Sequence, residues 1–331
     1  MAIDAADYVL NPNDQRMIAA LQYDGRMTAE RAAEVLRLPT RVVQRRWSAL
    51  LAGGEVKVIA VPPVNRPMLL WIRVLRGKVD AVAQALAARE DIPLIDLSAS
   101  GDQLSAVLLA SDGPGNRLVF RQLPASSAVT SIEAETVIKV FCEAADWRLD
   151  VLSEPERQRF AEEAGPSRAR PTDPEPDLDE LDQAIVELLA DQARRPASAI
   201  ARATDQAEST VRRRLASLFG QGRLRTQVVL DPRRFGLGVD ANLRMRVAPR
   251  NLEQAGRRLA RHPAVHGALA TTGASNLNVA LWLRDLDHLY RFITEDLAEL
   301  EIDQVETMLV GQAIKRPGAS NRPGRPGSRL H

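Results

Sequence analysis

The chain contains one stretch of itself twice. Residues 10–56 align without a gap to residues 178–224 at an offset of 168, and 12 of the 47 positions are identical, among them Asp14/Asp182, Arg26/Arg194, Val43/Val211, Arg45/Arg213, Arg46/Arg214 and Leu50/Leu218. Met17/Ile185, Trp47/Leu215 and Leu51/Phe219 exchange one hydrophobe for another, as a shared core requires. An internal repeat sets the architecture before any other feature does. At 331 residues the chain also exceeds the size at which one core stops growing. Two alike units, each with a further domain, are therefore expected.

Hydrophobic spacing within each copy gives three helices. In the first copy Met17, Ile18 and Leu21 share a face, Asn11 or Asn13 offers the N-cap, and Thr28 caps a second helix whose Ala29, Ala32 and Ala33 permit close approach. The third helix, Thr40 to Ala52, turns Val43, Trp47 and Leu50 inward and leaves Thr40, Arg41, Gln44, Arg45 and Ser48 outside. In the second copy Val211, Leu215 and Leu218 are inward, while Ser209, Thr210, Arg212 and Arg213 lie on or beside the outer face together with Glu208. Arginine, glutamine and hydroxyl donors on the last helix of a trihelical unit suit phosphates and purine edges in a major groove. A plain solvated basic face is the alternative, and duplication of the whole pattern, with a strand after each copy at Val56–Val61 and Leu224–Leu230, favours the groove. Arg46 and Arg214 fall beside the buried stripe and are assigned to structural ion pairs with Asp14 and Asp182.

After each trihelical unit, short β-like runs alternate with helical stretches. The second copy reads Ala241–Val247, Leu252–Ala260, Val265–Thr271, Leu277–Leu283, Asp287–Leu300 and Gln304–Val310 in the order βαββαβ. In the first copy the same order falls on Met68–Leu75, Lys78–Arg89, Leu94–Ser98, Leu104–Ala110, Asn116–Leu123 and Ile132–Phe141. The expected fold class is α+β: winged helix-turn-helix DNA-binding domains at 10–61 and 178–230, and ferredoxin-like α/β sandwiches at 66–150 and 238–312. A Pro-rich linker at 153–177 joins the halves, with a short helix around Glu156–Ala164. The segment 313–331, basic and rich in Pro-Gly, is expected to be a disordered tail, either a solvated end or a salt-sensitive DNA contact.

Composition removes several classes. One cysteine, Cys142, cannot form an intrachain disulfide, and the four histidines are too scattered for a Cys/His zinc site. No cofactor or metal is expected. Neither a leader nor a run of about 20 apolar residues is present, so a cytoplasmic protein without membrane contact is the expectation. With 44 basic and 43 acidic residues, bulk charge does not announce a nucleic-acid partner and only its placement could.

The stretches LNPNDQRMIAALQYDGRMTAERAAEVL and RVVQRRWSALLAGGEV resemble the N-terminal domain of the Lrp/AsnC (leucine-responsive, feast/famine) transcription regulators. LDELDQAIVELLADQAR with STVRRRLASLFGQGRL resembles it more closely. The resemblance implies that the βαββαβ segments are that family's effector-binding and oligomerisation domain, and that the chain is a tandem fused member. The family's Gly-Leu-Ser turn is replaced by Arg37-Leu38-Pro39 and Asp205-Gln206-Ala207, with Thr40 and Ser209 as the substitute caps. In its effector loop a glycine is followed three residues later by an aspartate. Here the positions hold Gly273 with Asn276 and Gly101 with Leu104, so the carboxylate for an amino-acid ammonium is missing. Two readings of the second loop stand: an altered small-molecule site at Thr272, Gly273, Ala274 and Asn276, or a turn at a domain interface.

The leading function is a sequence-specific regulator that binds double-stranded DNA at an asymmetric operator and self-associates through its ferredoxin-like domains. The alternative is an effector-binding or assembly protein with weak or no specific DNA binding. An enzyme is not expected, because no Ser/His/Asp, paired-carboxylate, phosphate-loop or metal constellation emerges.

Overall fold

The computed structural model describes residues 9–54, 56–63, 67–109, 117–164 and 178–317. Residues 165–177 of the expected linker and 318–331 of the expected tail lie outside the described residues. The first trihelical unit comprises α1 (Pro12–Tyr23), α2 (Ala29–Leu36) and α3 (Thr40–Ala52), followed by β1 (Val56–Val61). Asn11 caps α1 by accepting from the Asp14 N–H, and Thr28 caps α2 by accepting from that of Arg31. Thr40 does not cap α3. Pro39 occupies the N-cap without a side-chain bond, and Arg37 makes the preceding turn in the left-handed region at φ 55°.

After the first barrel half, α5 (Glu154–Ala164) packs its fully buried Phe160 against the first unit, with the Phe160 ring 5.6 Å from that of Tyr23. The second unit has α6 (Glu180–Leu189), α7 (Ala197–Thr204), α8 (Glu208–Gly220) and β6 (Arg225–Leu230). Here Ala207, not Ser209, is the N-cap of α8, and Asp205 takes the left-handed turn at φ 52°. The two units, called heads below, share one hydrophobic core. Met17, Val43 and Trp47 of the first join Ile185, Val211 and Leu218 of the second in a single cluster.

β1 and β6 form a two-stranded antiparallel ladder in which Ile59 faces Gln227. Gln227 is the repeat counterpart of Ile59, so the heads are related by an approximate two-fold axis through that pair. Arg26 and Arg194, identical in the repeat, make the same contact twice. The Arg194 guanidinium donates to the Gly25 carbonyl at 2.6 Å, and that of Arg26 donates to the carbonyl of Ala193, the counterpart of Gly25. Each also lies over an aromatic ring of the other head, Arg26 over Phe219 and Arg194 over Trp47.

The remaining elements are β2 (Met68–Val74), α4 (Val79–Ala87), β3 (Leu94–Ser98), β4 (Gln103–Leu108) and β5 (Val129–Cys142) in the first half. The second half supplies β7 (Val239–Val247), α9 (Pro249–Leu259), β8 (Val265–Thr271), β9 (Leu277–Leu283), α10 (Leu286–Arg291) and β10 (Ile302–Lys315). Two separate sandwiches are the sequence expectation, and the structure corrects it. The strands close into one barrel of order β10-β3-β4-β2-β5-β8-β9-β7. Each half keeps the ferredoxin-like strand order, but each sheet has two edges, and pairing β5 with β8 and β10 with β3 satisfies all of them.

One offset, 173, governs the register. Ile72 pairs with Leu104 and Ile132, and Met245 with Leu277 and Val305. The seams obey it too, since Val137 faces Thr271 and Val310 faces Ser98. β5 and β10 each run for 14 residues because the first part of each pairs within its own half and the second part crosses the seam. Thus β10 extends to Lys315, into the segment expected to be disordered. The helix expected over Asp287–Leu300 breaks after Arg291 into a π-helical turn, Phe292–Asp296, and a 3-10 turn, Ala298–Leu300. In the first half its counterpart is only the π-helical turn Leu118–Gln122 among the described residues.

Along each strand alternate residues face opposite ways. Leu70, Ile72 and Val74 form a core with Val82 and Leu86 of α4, and Leu243, Met245 and Val247 form one with Leu259 of α9. Trp71, Glu133, Glu135, Asp240, Asn242, Arg244 and Asn278 face the other way, into the barrel, whose lining is markedly polar.

Candidate nucleic-acid interface

The two third helices follow from their buried stripes. Val43, Trp47 and Leu50 anchor α3, with the Trp47 indole N–H donating to the Met17 carbonyl at 3.1 Å, and Val211, Leu215 and Leu218 anchor α8. This leaves Arg41, Gln44, Arg45 and Ser48 exposed on α3 and Thr40 half-buried at its start. On α8, Ser209, Arg212 and Arg213 are exposed and Thr210 is half-buried.

The two faces differ electrostatically. Among the described residues Arg41, Arg45 and Arg213 make no ion pair. The Arg212 Nε donates to Glu208 Oε1 at 2.9 Å, one turn back on the same helix. Glu208 stands where the first head has Thr40, so the second face carries an internal countercharge that the first lacks. Beside it an open depression of about 580 Å³ is lined by Ser198, Arg202, Asp205 and Glu208.

Below each face lies a buried aspartate held by arginine. Arg46 donates through Nε to Asp14 Oδ1 at 2.8 Å and through Nη2 to Oδ2, and Asp14 is 1% exposed. Arg214 reaches Asp182 at 3.2 Å and Asp179 at 2.6 Å. The Asp182 N–H and the Arg214 guanidinium beside it hold the Asp179 carboxyl below its ordinary range. Neither Arg46 nor Arg214 points from the outer face; each ties the third helix to the first helix of its own head.

Arg26 and Arg194 each reach across to a carbonyl of the other head, and the sequence reading gave them no role. Burial pulls both guanidinium pKa values down, while Asp24 pulls them back up. Their identity across the repeat was the available signal, but no spacing rule points from α1–α2 loops to the opposite head.

The loop read as either an altered small-molecule site or an interface turn is tied to the protein's own backbone. Asn276 donates through Nδ2 to the Val247 carbonyl at 2.8 Å and accepts from the Val247 N–H through Oδ1 at 2.9 Å. Thr272 accepts from the Thr136 N–H through its hydroxyl at 2.9 Å and donates its own N–H to the Thr136 carbonyl, which ties the loop to β5 across the seam. Thr272, Gly273 and Ala274 are exposed beside these ties. At Gly273, φ is +106°, a conformation that favours glycine, and a Cβ would sit a tight 3.3 Å from Glu135 Cγ. The register also makes Gln103, not Leu104, the counterpart of Asn276, and Leu104 is fully buried against the first-half helix.

Sequence reasoning missed the barrel lining. Arg244, 4% exposed, contacts Glu133 at 2.5 Å, Glu135 at 2.6 Å and Glu306 at 3.2 Å, and lies 4.9 Å from the Trp71 ring centre. The acidic neighbours hold its pKa up against burial. At one end of the lining Arg316 bridges Asp96 at 2.5 Å and Asp240 at 3.5 Å, and burial, with Asp96 alongside, pushes the Asp240 carboxyl up to about 7. His266, stacked on Trp282 at 3.9 Å, is driven down to about 3 by burial and by Arg316. His262 meets Asp296 at 3.5 Å, a partner too remote in sequence to foresee. Among the described residues no group of three or more His, Cys, Asp and Glu could hold a metal ion, and no helix is long and apolar enough to cross a membrane.

Comparison with family models bears on the second half of the chain. Residues 178–218 match the AsnC-type helix-turn-helix domain, and residues 240–319 match the Lrp/AsnC ligand binding domain. An HTH-type transcriptional regulator of Pyrococcus horikoshii is 32% identical over 141 residues, 42% of this chain and 89% of the relative. One from Pyrococcus abyssi is 33% identical over 140 residues, with the same two coverages. The siroheme decarboxylase NirDL shares the fold over 93% of each chain, with a TM-score of 0.61 at 14% identity, and at 15% in its co-complex with an iron-uroporphyrin III analogue. Because relatives more than 30% identical are covered over nearly nine-tenths of their length, and both domain types of the second half match the family's own, the chain belongs to the Lrp/AsnC family.

Proposed function

We propose that the chain is a sequence-specific DNA-binding transcription regulator in which both heads are winged helix-turn-helix units and the whole chain is a tandem fusion. The observation that carries this is the pair of exposed third helices, α3 and α8, held about one approximate two-fold axis by the β1–β6 ladder and the reciprocal Arg26 and Arg194 contacts. The regulator names of the two Pyrococcus relatives support it. Thr40, Arg41, Gln44, Arg45 and Ser48 form one reading face, and Ser209, Thr210, Arg212 and Arg213 the other. An approximate two-fold places the half-sites in opposite orientations, while the unlike side chains call for different bases, arginine favouring guanine and glutamine adenine. The operator is therefore inverted in geometry and asymmetric in letters.

The effector role is narrower than the sequence suggests. With Asn276 committed to Val247, the exposed Thr272–Ala274 stretch is left to contact a small molecule; the loop itself carries no aspartate, and the neighbouring Glu135 carboxylate is already bonded to Arg244 and Asn278. Assembly of several chains would use the outer surface of the barrel, since its strand edges are already paired.

Selection from random DNA, followed by mobility shift on the enriched sites and on the gene's own upstream region, tests the reading. Enrichment of one inverted, asymmetric site supports it; no enrichment, or a symmetric palindrome, overturns it. A second reading has one observation behind it: a likeness that covers 93% of the chain is to a siroheme decarboxylase. Incubation with siroheme, followed by chromatography for a decarboxylated tetrapyrrole, distinguishes the two.

A further inference from the structure

We infer that Glu135 is a selector that lets the first half of the barrel close only against the second half, excluding another copy of itself. The inference rests on strand register and side-chain contacts, and stands or falls apart from DNA binding. Glu135 is 3% exposed, and its polar partners all come from the other half: Arg244 at 2.6 Å, Asn278 at 2.9 Å and Thr271 at 3.4 Å.

The 173-residue offset shows what a first half would offer in their place. Arg244 corresponds to Trp71, Asn278 to Ser105 and Thr271 to Ser98. Paired with its own kind, the first half would bury two Glu135 carboxylates with no guanidinium at that position. Arg73 does not rescue them, because it now reaches Glu306 at 3.5 Å and would by the same symmetry reach the partner copy of Glu133. A buried carboxylate without its cation is strongly destabilising. In a pairing of two second halves, Arg244 would face Arg244, and Met308 would stand where Glu135 stands. Only the unlike pairing brings Glu133, Glu135 and Glu306 to Arg244 and stacks that guanidinium on Trp71. The surface thus fits a sheet presenting arginine flanked by threonine and asparagine. That sheet is the second half, in the same chain or a second copy, and specificity comes from what the wrong partner leaves unpaired.

The seams supply a reporter in the full-length chain. In the observed barrel Val137 faces Thr271 and Ser98 faces Val310, so Val137 and Ser98 lie on different seams; in a pairing of two first halves they would face each other between chains. Full-length protein carrying Cys142→Ala, Ser98→Cys and Val137→Cys is unfolded, refolded and oxidised, and chain-to-chain disulfides are counted. Ser98→Cys with Val310→Cys is the control that closes within one chain. With Glu135 intact, interchain disulfides stay at background; Glu135→Met raises them roughly tenfold or more. Glu135→Gln, which keeps the shape and the Asn278 hydrogen bond, raises them in the same direction and gives the reading if the methionine variant does not refold. Abundant interchain disulfides with Glu135 intact overturn the inference, and so does the absence of a rise in both variants. Failure of both variants to refold would assign Glu135 to stability instead of selection, and equally overturns it.

Discussion

Arg37 and Asp205 sit in the left-handed region where a glycine would sit freely. Asp tolerates that conformation better than Arg, so Arg37→Gly should stabilise the protein by about 1 kcal/mol and Asp205→Gly by less, read as shifts in denaturant midpoint. Asp240 gives a pH prediction. Its folded pKa of about 7 lies above the ordinary 3.8, so the folded state holds a proton that the unfolded chain has lost. Stability from this group is present below the unfolded value and falls as pH rises through about 7. His266 works in the opposite sense, losing stability as pH falls below its ordinary 6.5. Asp240→Asn should therefore raise the melting temperature more at pH 8 than at pH 5, and equal shifts at both would refute the assignment. At this scale the sequence was legible where side chains act locally. An Asn11-or-Asn13 cap, of which the structure uses Asn11, the Thr28 cap, and arginine beside the buried stripe at positions 46 and 214 follow from helical spacing. Thr40 and Ser209 as caps do not survive, because the left-handed residue ahead of each third helix sets the turn and leaves Pro39 and Ala207 at the cap.

For the elements, α3 and α8 are alike in burial and unlike in charge, which separates their predicted roles. Arg41→Ala with Arg45→Ala should reduce operator affinity and flatten its salt dependence, since each lost phosphate contact releases fewer counterions. Arg212→Ala with Arg213→Ala should do so less, because Glu208 already neutralises Arg212. Glu208→Gln should steepen the salt dependence; a mobility-shift series across several salt concentrations reads all three, and an unchanged slope in every variant would mean that neither face meets DNA. Helices and their faces were legible because period 3.6 needs only one neighbouring core. The full length of β10 was not, since the residues past its expected end at Val310 are held by β3 of the other half. Arg244 in the run ANLRMRV alternates as a solvent-facing residue would, and only barrel closure makes that face an interior.

The molecule as a whole is less divisible than its repeat implies. Because Val43, Trp47, Val211 and Leu215 belong to one core, Val211→Asp should unfold both heads and not only its own. Hydrogen exchange would show it: α3 amides that stay protected in this variant would mean the heads are separable. That one trihelical pattern occurs twice was legible from the 168-residue offset, while the barrel was not, because ferredoxin-like strand order is compatible with either two open sheets or one closed one. The β1–β6 ladder has a further consequence for dosage. Two heads on separate chains must first find each other, so occupancy of a paired site falls as the square of protein concentration below their dissociation constant. Here Ile59 and Gln227 belong to one polypeptide, so under the proposed function a single molecule reaches DNA with both heads already paired. Occupancy at low copy number then falls only in proportion to the number of chains, and a cell could keep such a switch set with very few of them.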